Sequence, residues 1–209
     1  DMAVHDLIKE YMTAHQRIIF NGDGYSDEWV KEAERRGLPN IRCMIDAAGT
    51  LTTEKSVRLF EKFGIFTKAE LISREEIIYE TYAKTLNIEA LTMINMANKK
   101  IIPAVIRHSK SLADTVIAVK DAGADASVQR DILNTVSSKL ITAKNALLRL
   151  EEATAQAGNI KSAKDKAFFY KDTVKVEMDA LRKPVDELEL VVDKSMWPMP
   201  TYGDLTFEV

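Results

Sequence analysis

The chain contains three histidines and one cysteine, side chains that often bind metals or take part in catalysis. His5, His15 and His108 are never three or four residues apart, the spacing that would place two metal ligands side by side on a helix. Cys43 has no second cysteine two residues away and no adjacent histidine. We therefore predict structural or surface histidines and an ordinary thiol. The sequence gives no catalytic, cofactor-binding or metal-ligating residue.

Oxygen-bearing side chains alternate from Asn21 to Glu28, as they do in calcium-binding loops. The sixth position of this loop is Ser26, where a calcium loop requires glycine, and no Gly-Lys-Ser/Thr sequence of a phosphate-binding loop follows. Asparagine, glycine and aspartate are also the residues of tight turns. We predict a turn that leads into a helix capped by Ser26.

A basic patch near the C-terminal half could indicate a nucleic-acid surface, because aromatic residues lie beside it. Its members are Lys161, Lys164, Lys166, Lys171 and Lys175, with Phe168, Phe169 and Tyr170 among them. Asp165 and Asp172 interrupt the positive charge, and Tyr170 falls on an apolar stripe, so a solvated helix face is the better interpretation. The consecutive acidic pairs Glu75-Glu76 and Glu151-Glu152 point away from each other on a helix and do not converge on a substrate.

Composition excludes several classes of function. The 209 residues are 46% hydrophobic, which is enough for a sizeable core, and the net charge of -3 lacks the basic excess of a nucleic-acid-binding protein. No apolar run is long enough to span a bilayer. A single cysteine fits a reducing cytoplasm. Because Asp1 is not a methionine and a helical pattern begins almost at once, we expect a piece of a longer protein.

The longest helical pattern runs from Thr67 to Gly123 and organises the rest of the chain. Apolar residues recur every three or four positions, and Thr67 with Glu70 forms a capping box at the start. Pro103 lacks an amide proton and clashes with the preceding turn, so we expect a kink between Lys99 and Pro103.

Two further long helices follow, separated by the helix-ending Gly123 and Gly158. The second carries regular heptads whose core positions are Leu133, Val136, Leu140, Ala143, Leu147, Leu150, Thr154 and Ala157. The third runs from about Lys161 to Val192 and contains Pro184, which should bend it.

These patterns predict an all-α fold, an antiparallel bundle of three long helices over residues 65–193. Three shorter helices precede it within residues 1–64, over about Met2 to Ile18, after Ser26, and from Thr53 to Lys62. Residues 38–52 have no helical period and are predicted to form a loop. Residues 194–209 contain two prolines and an alternating end, Leu205 to Val209, so we predict an extended tail with a terminal strand.

Three segments resemble type III glutamine synthetases, in the same order along the chain. They are Phe20 to Trp29 (FNGDGYSDEW), Asn87 to Ile94 (NIEALTMI) and Ser195 to Val209 (SMWPMPTYGDLTFEV). The resemblance extends over essentially the whole chain but only over the C-terminal part of that long enzyme. It implies a parent enzyme that makes glutamine from glutamate, ammonia and ATP with Mg or Mn, in large homo-oligomers, and whose catalytic motifs lie upstream of Asp1.

The resemblance implies a non-catalytic, structural, oligomerisation or regulatory domain, whose partners are the enzyme's own catalytic domain and neighbouring subunits. Residues 1–64 and the tail are expected to pack on that catalytic domain. Whether this chain alone is an enzyme stays open. The alternative from a different class is a freestanding helical-bundle adaptor or dimerisation module, with the heptads from Leu133 to Thr154 open to a partner.

Overall fold

The computed structural model describes residues 2–200 and 202–207. All regular structure in these ranges is helical, which confirms the predicted all-α class. In the same residues, no helix combines the length and the apolar character that crossing a membrane would require. The chain divides after Ala47 into two compact units.

The first unit contains α1 (Met2–Ala14), a short 3₁₀ helix (Gln16–Ile18), α2 (Asp27–Arg35) and most of α3 (Met44–Ala48). The second contains α4 (Glu54–Lys62) and three long rods. The first rod joins α5 (Lys68–Met96), a π segment (Ala97–Ile101) and α6 (Ile102–Asp121). The second rod is α7 (Ser127–Gly158), and the third joins α8 (Ala163–Phe169), a π segment (Tyr170–Val174) and α9 (Lys175–Glu189). A last helix, α10, spans Tyr202–Phe207.

The predicted loop over residues 38–52 is wrong in part, because it contains the short helix α3. Five residues are fewer than two helical turns, so no apolar period can show in the sequence. The predicted capping box is confirmed at the start of the first rod. The Thr67 hydroxyl accepts from the Glu70 amide at 3.3 Å, and the Glu70 carboxylate accepts from the Thr67 amide at 2.7 Å.

The first π segment overlaps the range from Lys99 to Pro103 in which a kink is predicted, and the kink itself stays a prediction. The amide of Ile102 donates to the carbonyl of Ala97, five residues back in place of four. Pro103 cannot donate to the carbonyl of Lys99, and its ring would crowd that turn of a regular helix. The wider π turn accommodates both defects without ending the rod. The bend predicted at Pro184, inside α9, stays a prediction.

The second and third rods run in opposite directions, as their side-chain pairs show. Arg149 of α7 pairs with Glu177 of α9 at 2.8 Å, and Lys139 pairs with Glu187. Residue numbers therefore fall along α7 as they rise along α9, which makes the second and third rods antiparallel. Asn98 of the first rod donates to Glu151 of α7 at 2.7 Å.

The core of the second unit lies along α7. All eight heptad positions predicted from the sequence are buried or partly buried: Leu133, Val136, Leu140, Ala143, Leu147, Leu150, Thr154 and Ala157. All but Leu133 and Thr154 pack with Ala90, Ala97, Val174 and Leu181 of the first and third rods in one apolar cluster. This seam is covered by the chain's own helices, so it is not open to a partner as the adaptor alternative requires.

The predicted terminal strand is wrong for the residues that the structure describes, because Leu205, Thr206 and Phe207 belong to α10. Glu208 and Val209 lie outside the described residues. A strand needs a neighbouring strand to bond its amide and carbonyl groups, and the described residues contain none. A helix satisfies those groups within itself.

The rest of the tail lies on the bundle. Met196, Trp197 and Met199 are partly buried against the core of the second unit. The division of the chain at residues 64 and 193, and the packing of the outer parts on a catalytic domain, stay predictions.

A small polar network holds the first unit together. Arg36 donates to the carbonyl oxygens of Arg17 at 2.6 Å and Ile19 at 2.7 Å, so it ties the end of α2 to the segment after α1. Arg35 donates two hydrogen bonds of 2.6 Å to the Glu32 carboxylate, and Arg36 donates a third of 2.5 Å. Hydrogen bonds from Arg35, then Arg36, lower the pKa of the Glu32 carboxyl to about 2.

We expect Leu147→Ala to lower the free energy of unfolding by about 2–5 kcal/mol, because this fully buried side chain would leave a cavity in the seam. The matched control is Leu148→Ala at the next position, where half of the side chain is exposed. It should cost less than about 1 kcal/mol. Urea unfolding followed by circular dichroism measures both. Equal losses for the two variants would contradict the assignment of the seam to this face of α7.

The Glu32 network predicts a pH dependence of the first unit. The folded pKa of Glu32 lies below the ordinary value of 4.5, so its stabilising effect is complete above pH 4.5 and is lost as the pH falls towards about 2. An NMR titration of the Glu32 carboxyl carbon should give a midpoint near the lower value. Arg35→Gln with Arg36→Gln should return the midpoint towards 4.5. A midpoint that the two substitutions leave unchanged would refute this network.

Candidate functional site

The three histidines and the cysteine lie in or beside different helices, except that His5 and His15 are at the two ends of α1. His5 is exposed on α1 beside Asp6 at 3.2 Å, and His15 follows α1 with its ring 5.8 Å from that of Tyr11. His108 is buried in α6, and its Nε2 atom has no hydrogen-bond partner. Cys43 is a partly buried cysteine just before α3 and forms no disulfide. No nucleophile is therefore placed against a base by these four residues.

The loop from Asn21 to Glu28 is a turn that leads into a capped helix, as predicted. The Asp23 carboxylate accepts from the Tyr25 amide at 2.9 Å, and Ser26 accepts from the Trp29 amide at 3.3 Å to cap α2. Phe20 and Trp29, at the two ends of this segment, are in contact, with ring centroids 4.6 Å apart and the ring planes tilted by 38°. The segment thus closes on itself by turn bonds and an aromatic contact.

One polar cluster in the second unit has no signal in the sequence. The Thr52 hydroxyl donates to one carboxylate oxygen of Glu75 at 2.6 Å, and the buried Tyr79 hydroxyl donates to the other at 3.0 Å. Thr52 lies 23 positions from Glu75, so no local pattern could predict the pair. With both oxygens occupied, Glu75 attaches the segment before α4 to the first rod, a structural role.

The described residues do not fit the divalent metal that the resemblance to glutamine synthetases implies. Among residues 2–200 and 202–207, no three side chains of histidine, cysteine, aspartate or glutamate lie together in a way that could hold a metal ion. The loop from Asn21 to Glu28, which comes closest in sequence, uses Asp23 and Ser26 in its own turn. We therefore derive no catalytic step through ATP or a divalent metal from these residues.

A face of α1 is the most prominent apolar surface of the first unit. None of the residues of α1 is buried. Its apolar residues recur at helical spacing on one side, and more than half of each is exposed: Val4, Leu7, Ile8, Tyr11 and Met12. An amphipathic helix gains stability by covering such a face. The α1 face is therefore suited to packing against another protein surface.

The second unit carries an apolar groove between the first rod, the third rod and the tail. Met93 and Ile101 form one wall, Leu181 lies opposite, and Trp197 and Leu205 close the tail side. The cavity is about 310 Å³. It adjoins the first π segment, two of whose residues line it. The segment from Ser195 to Val209 that resembles the synthetases thus has a packing role in its described part.

The chain is similar to a known family of protein domains. A family model described as glutamine synthetase C-terminal domain matches residues 3–120, more than half of the chain. This range includes α1, the Phe20 to Trp29 segment and nearly all of the first rod.

Three curated relatives match along almost the whole chain. A glutamine synthetase of Butyrivibrio fibrisolvens is 36% identical over 99% of the chain. A type-3 glutamine synthetase of Dictyostelium discoideum is 32% identical over 98%, and a glutamine synthetase of Bacteroides fragilis is 30% identical over 99%. The chain spans only 30%, 29% and 29% of the lengths of these relatives, in that order.

Proposed function

The chain belongs to the family of the glutamine synthetase C-terminal domain, and from this membership we propose that it serves as the non-catalytic helical domain of a glutamine-forming enzyme. The whole enzyme would join ammonia to glutamate with ATP and Mg or Mn. The observation that carries the proposal is the family match, supported by relatives whose names state this enzyme.

We propose further that the chain acts by packing against the catalytic domain and neighbouring subunits of a cytoplasmic homo-oligomer. The α1 face supports a packing role, because five large apolar side chains are presented to the outside along one helix. A surface of this kind gains free energy in proportion to the apolar area that a partner removes from water. The single cysteine fits the cytoplasmic location.

A non-catalytic role predicts that the 209-residue chain alone forms no glutamine. Incubated with ATP, glutamate, ammonia and Mg or Mn, it should release no phosphate above the rate of a protein-free blank. The longer enzyme that contains it should do so under the same conditions. Glutamyl transfer or phosphate release by a clean preparation of the chain would refute the non-catalytic assignment.

A packing role for the α1 face predicts that Leu7→Lys in the longer enzyme weakens assembly. A lysine in the middle of the covered face would bury an unpaired charge, which is strongly unfavourable. Light scattering coupled to gel filtration should show smaller particles at equal concentration, with at least a tenfold rise in the dissociation constant.

The matched control is Thr13→Lys, which adds the same charge on the opposite side of α1. It should leave the particle size unchanged. If both substitutions leave the assembly intact while the enzyme stays active, the α1 face is not an interface.

A further inference from the structure

The second unit contains a polar cavity that the proposed function does not use. It has a volume of about 360 Å³ and lies where the C-terminal end of α7 and the start of the third rod meet the side of α5. Its polar residues are Glu80, Lys84 and Asn87 of α5, Lys161 of the turn before α8, and Lys166 and Tyr170 of the third rod. We call this cavity the lysine pocket. Its volume falls in the range of sites for small molecules.

The charges around the lysine pocket do not balance. Lys84 donates to the Glu80 carboxylate at 2.7 Å, and this bond lowers the pKa of Glu80, so that the carboxyl is ionised at neutral pH. Lys161 and Lys166 form no ion pair within the described residues, but the charge of Lys166 also helps to lower the pKa of Glu80. Three ammonium groups therefore face one carboxylate, an excess of two positive charges in a concave surface. Such a surface concentrates anions.

Small residues form part of the lining of the lysine pocket and leave room for a ligand. Ala83, Ala157 and Ala163 contribute only methyl groups, and Gly158 contributes no side chain. A Cβ atom added at Gly158 would meet no atom within 4 Å, so a side chain can be placed there without a clash. The lining thus combines small residues with long lysines.

One hydrogen bond joins two polar residues of the pocket lining. The hydroxyl of Tyr170 donates to Oδ1 of Asn87 at 2.9 Å, across 83 positions of sequence. Burial raises the pKa of the Tyr170 phenol, so it stays neutral and adds no negative charge. With its oxygen held by Tyr170, the Asn87 amide directs its two N–H groups elsewhere and can donate to an anion. Tyr170 also begins the second π segment, a helix irregularity that is frequent at functional sites.

From this geometry we propose that the lysine pocket binds a small dianion, a molecule that carries one phosphate group or two carboxylates. Lys161 and Lys166 would neutralise the two charges, while Lys84 and the Asn87 amide supply further donors. Within the basic patch, Lys161 and Lys166 would bind the dianion, and the other lysines, including Lys164, lie outside the pocket lining.

Calorimetric titration of the 209-residue chain tests the proposal with three probes at constant ionic strength: inorganic phosphate, succinate and acetate. We expect saturable 1:1 binding of at least one dianion and at least tenfold weaker binding of acetate. Tighter binding of phosphate or of succinate identifies which of the two dianion types the pocket takes. Lys166→Gln should weaken binding of the tighter dianion at least tenfold, and Gly158→Leu, which adds a large side chain to the lining and keeps every lysine, should do the same.

The matched control is Lys164→Gln, which removes the same charge from the same helix outside the pocket. It should change the dissociation constant less than twofold. Circular dichroism of each variant confirms the fold. Equal weakening by Lys164→Gln and Lys166→Gln would show a diffuse response to surface charge and overturn the proposal. So would the absence of saturable binding for both dianions, or a folded Gly158→Leu chain that binds as the unchanged chain does.

Discussion

Close packing of the three rods along α7 is the constraint on which the second unit depends. Ala90 and Ala97 of the first rod, and Ala143 and Ala157 of the second, are almost fully buried. Small side chains at such contacts let helix axes approach towards the lower end of the usual 8–10 Å range. Larger residues such as Leu147 then fill the space between the helix axes. The side chains of α7 therefore set both the distance between the rods and the packing between them.

Two cavities of the second unit adjoin the π segments. The first π segment precedes Pro103 and lines the apolar groove, while the second begins at Tyr170 and adjoins the lysine pocket. A π turn inserts one extra residue and shifts the side chains that follow it around the helix axis. The core nevertheless continues through both segments, because Ala97, Ile101 and Val174 are buried in it.

The sequence predicted the parts of the fold that depend on period and on local bonds. The heptads of α7, the Thr67 capping box and the helix ends at Gly123 and Gly158 all follow from residue spacing. Pro103 also located the first π segment to within a few residues.

The features that the sequence did not predict are not encoded in the spacing of residues along the chain. The α3 helix is too short for a period, and the α10 helix replaces a predicted strand because no other strand is present in the described residues. The lysine pocket brings together residues 80–87, 157–166 and 170, and the basic patch gave the only hint of it. The second π segment has no proline within its five residues, and nothing in the sequence explains it.

The α1 face and the lysine pocket depend on different forces, so their effects on the protein are separable. Burial of an apolar face is little affected by moderate salt, whereas attraction between a dianion and lysines is screened as ionic strength rises. The pocket also draws its lining from all three rods. A dianion bound there would reduce the mutual repulsion of the lysines and connect the three rods, which stabilises the folded bundle in proportion to the logarithm of ligand concentration. A domain whose first unit offers an apolar surface and whose second unit responds to a small anion therefore has the physical means to combine packing with regulation.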